Sequence, residues 1–438
     1  MNLQNLKNLL DKASRNKKKI IKTILIIVLA IVISPIAYLG AWIIYNDLLP
    51  APNYTYDPML QLSHWTVVDT GDIPGKTHNS NTDMIFYDNY YYLIFQQSKW
   101  HIQDEDGSLI VIRSPDASQG SWERIHTIKL PNTDVRDPKF ANISGRLFIY
   151  FLPNYRFDPA PNTTYYLYSD DGLTFTVPQE LQINVTYKYD TGITENVTTA
   201  GWNLWRPKTL DNITWYVLAS GRKYTEDPGS IGDADVTGTM TILLKTQDGL
   251  NWTEVSEVYT THGNGEACLD FLPSGEMITT HRVGSMGLPG YAFGNPHGAT
   301  VIGTSYSNFK NWSFAVEFQT RLDGSTLFTW NGRIFAVGRN HLGPRADMGN
   351  HFTVKRTTFY EVKTDRLVHL FDLPSCGDTA YTGVVLKDGW LYASYYTNPI
   401  NKNYAWFVGQ LFLVKSNIRI AKVNLTGLLA FADLMGGV

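Results

Sequence analysis

Six stretches of this chain set charged or hydroxylated side chains at one recurring point. They are Asp83; Arg136-Asp137-Pro138; Trp205-Arg206-Pro207; Asn264-Gly265-Glu266 with Arg282; Asp323 with Arg339-Asn340-His341; and Asp378-Thr379-Ala380-Tyr381. Carboxylates exchange protons, and an arginine fork grips a carboxylate through two parallel bonds, so the set suits acid–base work on a polar or anionic ligand. A charge at a strand edge is ordinarily just solvated. Here every repeat contributes one at about the same place, which the elements carrying them must explain.

Those elements are strand hairpins. Tight turns at Asn89, Gly145, Asn212, Gly275, Gly332 and Gly389 separate strand-like runs such as IFYDNYYYLIF and LFTWNGRIFAV, at intervals of 56, 67, 63, 57 and 57 residues. Each interval accommodates about four short strands, the pattern of an all-β, six-bladed β-propeller with one blade per repeat. A propeller brings one strand of every blade to a common axis, so the six polar stretches face one funnel. The segment His64–Asp69 is expected to supply the outer strand that closes the last blade, beside residues 406–414.

A second pattern keeps step with the hairpins. Ser114-Pro-Asp-Ala-Ser-Gln-Gly-Ser-Trp122, Ser169-Asp-Asp-Gly-Leu-Thr-Phe175 and Thr246-Gln-Asp-Gly-Leu-Asn-Trp252 each follow an alternating strand, and Ser305-Tyr-Ser-Asn-Phe-Lys-Asn-Trp312 is an eroded copy. Asp and Gly supply turn geometry and the aromatic plugs the blade. These clusters resemble the Asp-box of the sialidase superfamily. The resemblance spans residues 64 to 420 and implies a sialidase-like propeller, with the boxes serving structure rather than chemistry.

The site resembles that superfamily more selectively. Glu266 before a hairpin that ends at Arg282, and Tyr381 within GDTAYTGVVLKDGWLYASYY, look like the family's glutamate, one clamp arginine and catalytic tyrosine. By that resemblance Tyr381 attacks the anomeric carbon, Glu266 takes its proton, an aspartate is general acid and base, and arginines clamp a sugar carboxylate. A phenol of pKa ~10 is a poor nucleophile at neutral pH, so it needs such a neighbouring base. A neutral phenol–carboxylate couple also keeps a bare anion away from an anionic sugar. The candidates for the aspartate are Asp83 and Asp137 on inner strands, with Asp104 and Asp106 in a loop. Arg136, Arg206 and Arg339 are candidate clamp residues by blade position, and Asp323 and Asp378 complete the expected binding set.

The pattern also departs from the family. Asn81-Thr82-Asp83-Met84 stands where the family has an Arg-Ile-Pro triplet, and Ser325-Thr326-Leu327-Phe328 where the third arginine is expected. Arg136-Asp137-Pro138 is similar to an element of five-bladed fructan- and arabinan-cleaving propellers, a fold that six turns argue against. The readings are therefore a sialidase-like exo-glycosidase acting on a terminal, acidic sugar, a propeller that binds glycans without cleaving them, or a structural or protein-binding propeller. Trp100, Trp202, Trp205 and Tyr291 are placed to stack on sugar rings, and residues 283–298 read as a Gly-rich loop over the funnel.

The ends and the charge set location and partners. Residues 24–45 form one uncharged apolar run of 22, long enough for a hydrocarbon core of ~30 Å. Seven bases and one acid, Asp11, precede it, so by the positive-inside rule 24–45 is a transmembrane anchor with residues 1–23 in the cytoplasm and everything after Asp47 outside, a cleaved signal peptide being the alternative. A stalk is expected at 46–62 and the propeller at 63–438. Setting those eight charges aside leaves 30 bases against 39 acids, about −9, with no basic face for nucleic acid. Nine N-x-S/T sequons, at Asn53, Asn142, Asn162, Asn184, Asn196, Asn212, Asn251, Asn311 and Asn424, suit an extracellular glycoprotein. Cys268 and Cys376 are too few for a disulfide framework; they could form one bridge, but their places in blades four and six favour two buried thiols. No Cys or His stands at zinc-ligand spacing, so no metal or cofactor is expected.

Overall fold

The computed structural model describes residues 3–69, 75–101, 104–154, 163–188, 194–199, 201–222, 239–262, 264–283, 298–342 and 353–436. It comprises two units, Met1–Pro50 and Ala51–Val438. The first is helix α1, Leu3–Leu48, with Pro35 inside it. Its stretch Ser14–Tyr45 is apolar and long enough to cross a membrane, as an anchor or a signal sequence does.

The second unit is a six-bladed β-propeller of six antiparallel blades around one axis. The inner strands are His78–Tyr87, Asp134–Ile143, Asn203–Thr209, Gly265–Phe271, Asp323–Trp330 and Thr379–Lys387. Each turns at one of the six tight turns onto a second strand, and apolar clusters fill the gaps between neighbouring blades. Blade three carries an extra hairpin, Ile183–Lys188 with Thr194–Thr199, added through a short parallel pairing of Ile183 with Trp252. That insertion accounts for the 67-residue interval.

Closure differs from the expected pairing. The strand Ser63–Val68 does complete blade six, but its partner is Asn417–Asn424, with Ser63 opposite Lys422 and Thr66 opposite Arg419. Ile418 and Ile420 alternate into the core, whereas the segment 406–414, WFVGQLFLV, lacks that alternation and starts as a short helix α2, Trp406–Leu411. The stalk is also shorter than 46–62. The Tyr54 and Tyr56 hydroxyls donate to the carbonyls of Ser375 and Asp372 at 3.1 and 3.0 Å. Leu60 is fully buried with the C-terminal helix α3, Leu425–Gly436, so the aromatic and apolar residues of this segment coat the propeller.

The Asp-box turns join the third and fourth strands of blades one to four. Asp171 Oδ1 accepts the amides of Leu173 and Thr174 at 2.8 and 2.7 Å, and Asp248 Oδ1 those of Leu250 and Asn251 at 2.9 and 2.8 Å. In the eroded copy Asn308 accepts the Lys310 amide at 3.2 Å. Of the sequons, Asn53, Asn184, Asn212, Asn251 and Asn311 are exposed, while Asn142 and Asn424 are half-buried in strands. Asn162 and the Asn196 side chain lie outside what is described. Both cysteines are buried free thiols.

Candidate active site

All six inner strands break their ladder at the same place. Residues 81–82, 137–138, 206–207, 266–267, 324–325 and 381–382 each stand as a pair opposite a single residue of the second strand, a two-against-one β-bulge. The first residue of each pair has a left-handed φ: Asn81 50°, Asp137 49°, Arg206 61°, Glu266 46°, Gly324 57° and Tyr381 48°. For a side chain bearing a Cβ this conformation costs roughly 1–2 kcal/mol. Repeated around an axis, it turns five side chains out of the regular pleat, with a glycine at the sixth position. Five of those positions carry a polar group and the sixth carries none.

Two of the bulges meet directly. The Tyr381 hydroxyl donates to Glu266 Oε1 at 2.5 Å, and Arg282 pairs with the same oxygen. Glu266 Oε2 accepts the Gly324 amide at 2.6 Å, which fixes the plane of the carboxylate. Gly324 is bare for a steric reason, because a Cβ there would stand 2.7 Å from the Tyr381 ring. Burial, and then the negative charge of Glu266, push the Tyr381 phenol well above its ordinary pKa. It therefore rests as a neutral phenol that donates to the Glu266 carboxylate. Arg282, with its side chain 31 % exposed, is the best-exposed arginine of this cluster.

Asp137 stands beside them. It contributes to the field at Tyr381, and its buried Oδ1 has no hydrogen-bond partner among the described residues. Lys139, two residues on, is fully buried with its ammonium 4.0 Å from the centre of the Trp205 ring. Burial and the Arg206 charge bring it down to about 8, against the pull of Asp137, Asp83 and Glu266.

Other residues expected to touch a ligand are committed to the protein itself. Asp83 pairs with Arg206 and accepts the amides of Met84 and Phe140, both at 2.7 Å, which ties blade one to blades two and three. Arg206 also donates to the Thr382 carbonyl, and both side chains are buried. Asp323 is sealed between Arg321 at 2.7 Å and His341 at 2.8 Å, which hold its carboxyl far below the usual range although burial alone would raise it. Asp378 accepts from Arg339, Tyr396 and Trp406 at 2.9, 2.8 and 3.0 Å. Arg339 is spent on Asp378 and the Thr379 carbonyl, with its guanidinium 4.8 Å from the Tyr381 ring centre. Arg136 pairs with Asp134 at 2.8 Å and donates to the His101 carbonyl. Asp104 accepts the amides of Lys99 and Asp106, so it organises its own loop.

The aromatics divide as well. Trp202 is buried in the core between blades two and three, and Trp205 lies beneath the site, edge-on to Tyr381 with ring centres 6.0 Å apart. Neither is open to a sugar. Trp100 is half-buried, while Tyr291 and the interior of the 283–298 loop lie outside the described residues. Gly324 and Asn81 escaped the sequence reading, yet a signal existed. The bulge residue stands eight positions before the turn residue in blades one, two, five and six, nine in blade four and six in blade three.

The fold defines a class, the sialidase-like six-bladed β-propeller, and solved structures share it. Trypanosoma rangeli sialidase, as its covalent intermediate with 2,3-difluorosialic acid, superposes with a TM-score of 0.58 at 12% identity, over 88% of this chain and 60% of that one. Phage phi92 endosialidase gives 0.55 at 11%, over 84% and 69%. A protein of unknown function from Dyadobacter fermentans DSM 18053 gives 0.55 at 14%, over 83% and 99%. The chain thus spans about three fifths of the trypanosomal sialidase. No protein-family model matches it, and no curated protein sequence does.

Proposed function

We propose that this chain is a membrane-anchored glycoside hydrolase of sialidase-like type, releasing terminal sugars outside the cell. The observation that carries the reading is the 2.5 Å contact between the Tyr381 hydroxyl and Glu266 Oε1, built from two strained bulges and braced by Arg282 and the Gly324 amide. Tyr381 Oη forms a bond to the anomeric carbon as its proton moves to Glu266. The glycosidic C–O bond breaks, and the leaving oxygen takes a proton from Asp137. Water, deprotonated by Asp137, then attacks the anomeric carbon from the side the leaving group vacated. The tyrosyl C–O bond breaks and Tyr381 recovers its proton from Glu266, so configuration is retained. Arg282, the best-exposed arginine of the cluster, is the group for a sugar carboxylate.

The seven bases before the apolar helix support an inside N-terminus and an external propeller, with glycans on its exposed sequons. A second reading is a glycan-binding propeller without turnover. The inward pairing of Arg136, Arg206 and Arg339 favours it, because those charges are already neutralised by the protein. Hydrolysis of a chromogenic glycoside panel led by a sialoside separates the two, using wild type, Tyr381→Phe and Glu266→Ala. Turnover lost in both variants supports the hydrolase. A panel without turnover, with glycan binding unchanged by both substitutions, overturns it in favour of the binding module.

A further inference from the structure

Beside the axial site, three donor atoms from distant parts of the chain converge. His78 begins the inner strand of blade one, His101 lies in the loop after that blade's second strand, and Asp378 directly precedes the inner strand of blade six. His101 Nδ1 is 2.7 Å and His78 Nε2 3.6 Å from Asp378 Oδ2, and all three atoms lie within 4.8 Å of one another. His78 and Asp378 are almost wholly buried, while the His101 side chain keeps 21 % exposure.

The hydrogen bonds around them show which atoms are free to coordinate. The Ser416 hydroxyl gives its single proton to the Asn79 carbonyl at 2.7 Å, so toward His78 Nδ1, at 3.3 Å, it can only accept. His78 Nδ1 therefore carries the ring proton, and Nε2 presents a bare lone pair. That nitrogen is buried without a hydrogen-bond partner among the described residues, and it faces a carboxylate oxygen that is also an acceptor. Two lone pairs turned on each other are unfavourable unless a positive centre lies between them. Asp378 is held in matching fashion. Its Oδ1 takes Arg339, Tyr396 and Trp406, while Oδ2 accepts the Gln410 amide at 3.2 Å and faces His101 Nδ1 at 2.7 Å.

We propose that His78 Nε2, His101 Nδ1 and Asp378 Oδ2 form a binding site for a first-row divalent transition metal of the zinc class. Two neutral imidazoles and one carboxylate are the donors such ions prefer, at about 2.0–2.2 Å from each. Metal–ligand bonds of that length put neighbouring donors roughly 3–3.5 Å apart, so modest movements of the three side chains complete the geometry. Calcium and magnesium are disfavoured, since they call for more oxygens and the nearby Arg339 and Arg136 offset the only carboxylate. Ser416 on His78 is the outer-shell partner that sets the tautomer. The partly exposed His101 side leaves a route for entry and a coordination position for water.

The site stands independently of the glycosidase reading, and binding tests it directly. The full chain in detergent micelles, stripped with chelator and titrated with Zn²⁺ alone, is expected to retain one metal per chain after gel filtration and to melt at a higher temperature. Co²⁺ in place of Zn²⁺ is expected to give visible d–d absorption. His101→Ala, at the least buried ligand, should weaken Zn²⁺ binding by about 100-fold or more. Loss in His101→Ala with a near-normal melting temperature for the stripped protein supports the site. No retained metal in wild type, or retention unchanged in His101→Ala, overturns it.

Discussion

The rim turns and the axial bulges are both repeated departures from regular strand, but they repeat different things. At the rim the side chains recur: Asp171 and Asp248 accept the same pair of amides, and Gly172 and Gly249 hold the same left-handed corner. At the axis the backbone recurs while the side chains diverge into Asn81, Asp137, Arg206, Glu266, Gly324 and Tyr381. A turn that only has to close a hairpin is solved by one set of residues. The axial ring instead uses one backbone device to present five different side chains and one bare glycine. Conserved chemistry within a chain's own repeats thus marks scaffold here, and conserved conformation with varied chemistry marks the site.

The strongest break of that comparison removes the axial groups. Tyr381→Phe is expected to lower turnover by about 10³-fold or more while leaving the melting temperature near that of wild type. An Asp-box change such as Asp248→Asn should do the reverse, with lower stability and unchanged turnover per folded molecule. Equal losses of activity in both would end the division of labour.

A matched pair of glycines sharpens it. A Cβ at Gly324 would stand 2.7 Å from the Tyr381 ring, and one at Gly249 2.7 Å from the Phe148 ring, both at a left-handed φ. Gly324→Ala and Gly249→Ala should each cost about 2–4 kcal/mol of stability, readable by denaturant unfolding. Only Gly324→Ala displaces Tyr381, the proposed nucleophile, and its turnover should fall by about 10²-fold. Comparable turnover in the two variants would mean that the Tyr381 position is not set by this contact.

What the sequence made legible follows the same line. Rim boxes and hairpin turns announce themselves because Asp, Gly and aromatic residues must recur where the backbone needs them. Glu266, Arg282 and Tyr381 were legible because they carry functional groups at family spacing. Gly324 was not, since its contribution is a missing side chain. Asp83, Arg206, Asp323 and Asp378 looked like ligand groups, as nothing in a sequence says that a charge will find its counter-ion in another blade. His78, His101 and Asp378 meet only through closure of the propeller, which joins blade one to blade six. The closing strand was found but mispaired, because the mostly apolar segment 406–414 carries no period that separates strand from short helix.

The smallest expected effect concerns the charge stored beneath the axis. Lys139 is brought down to about 8 by burial, from about 10.4 in an unfolded chain. Below pH 8 the ammonium is charged in both states and the cost of burying it is fully present. Between pH 8 and about 10.4 the unfolded chain binds more protons, so this group's contribution to stability rises with pH, by about 3 kcal/mol at most. Lys139→Met lacks that term, and other titrations are shared between the two proteins. The stability of wild type relative to Lys139→Met should therefore increase between pH 7 and pH 10 by chemical denaturation. Parallel curves would show that the ammonium over Trp205 is compensated by Asp137, Asp83 and Glu266 as fully as the rim turns compensate their own.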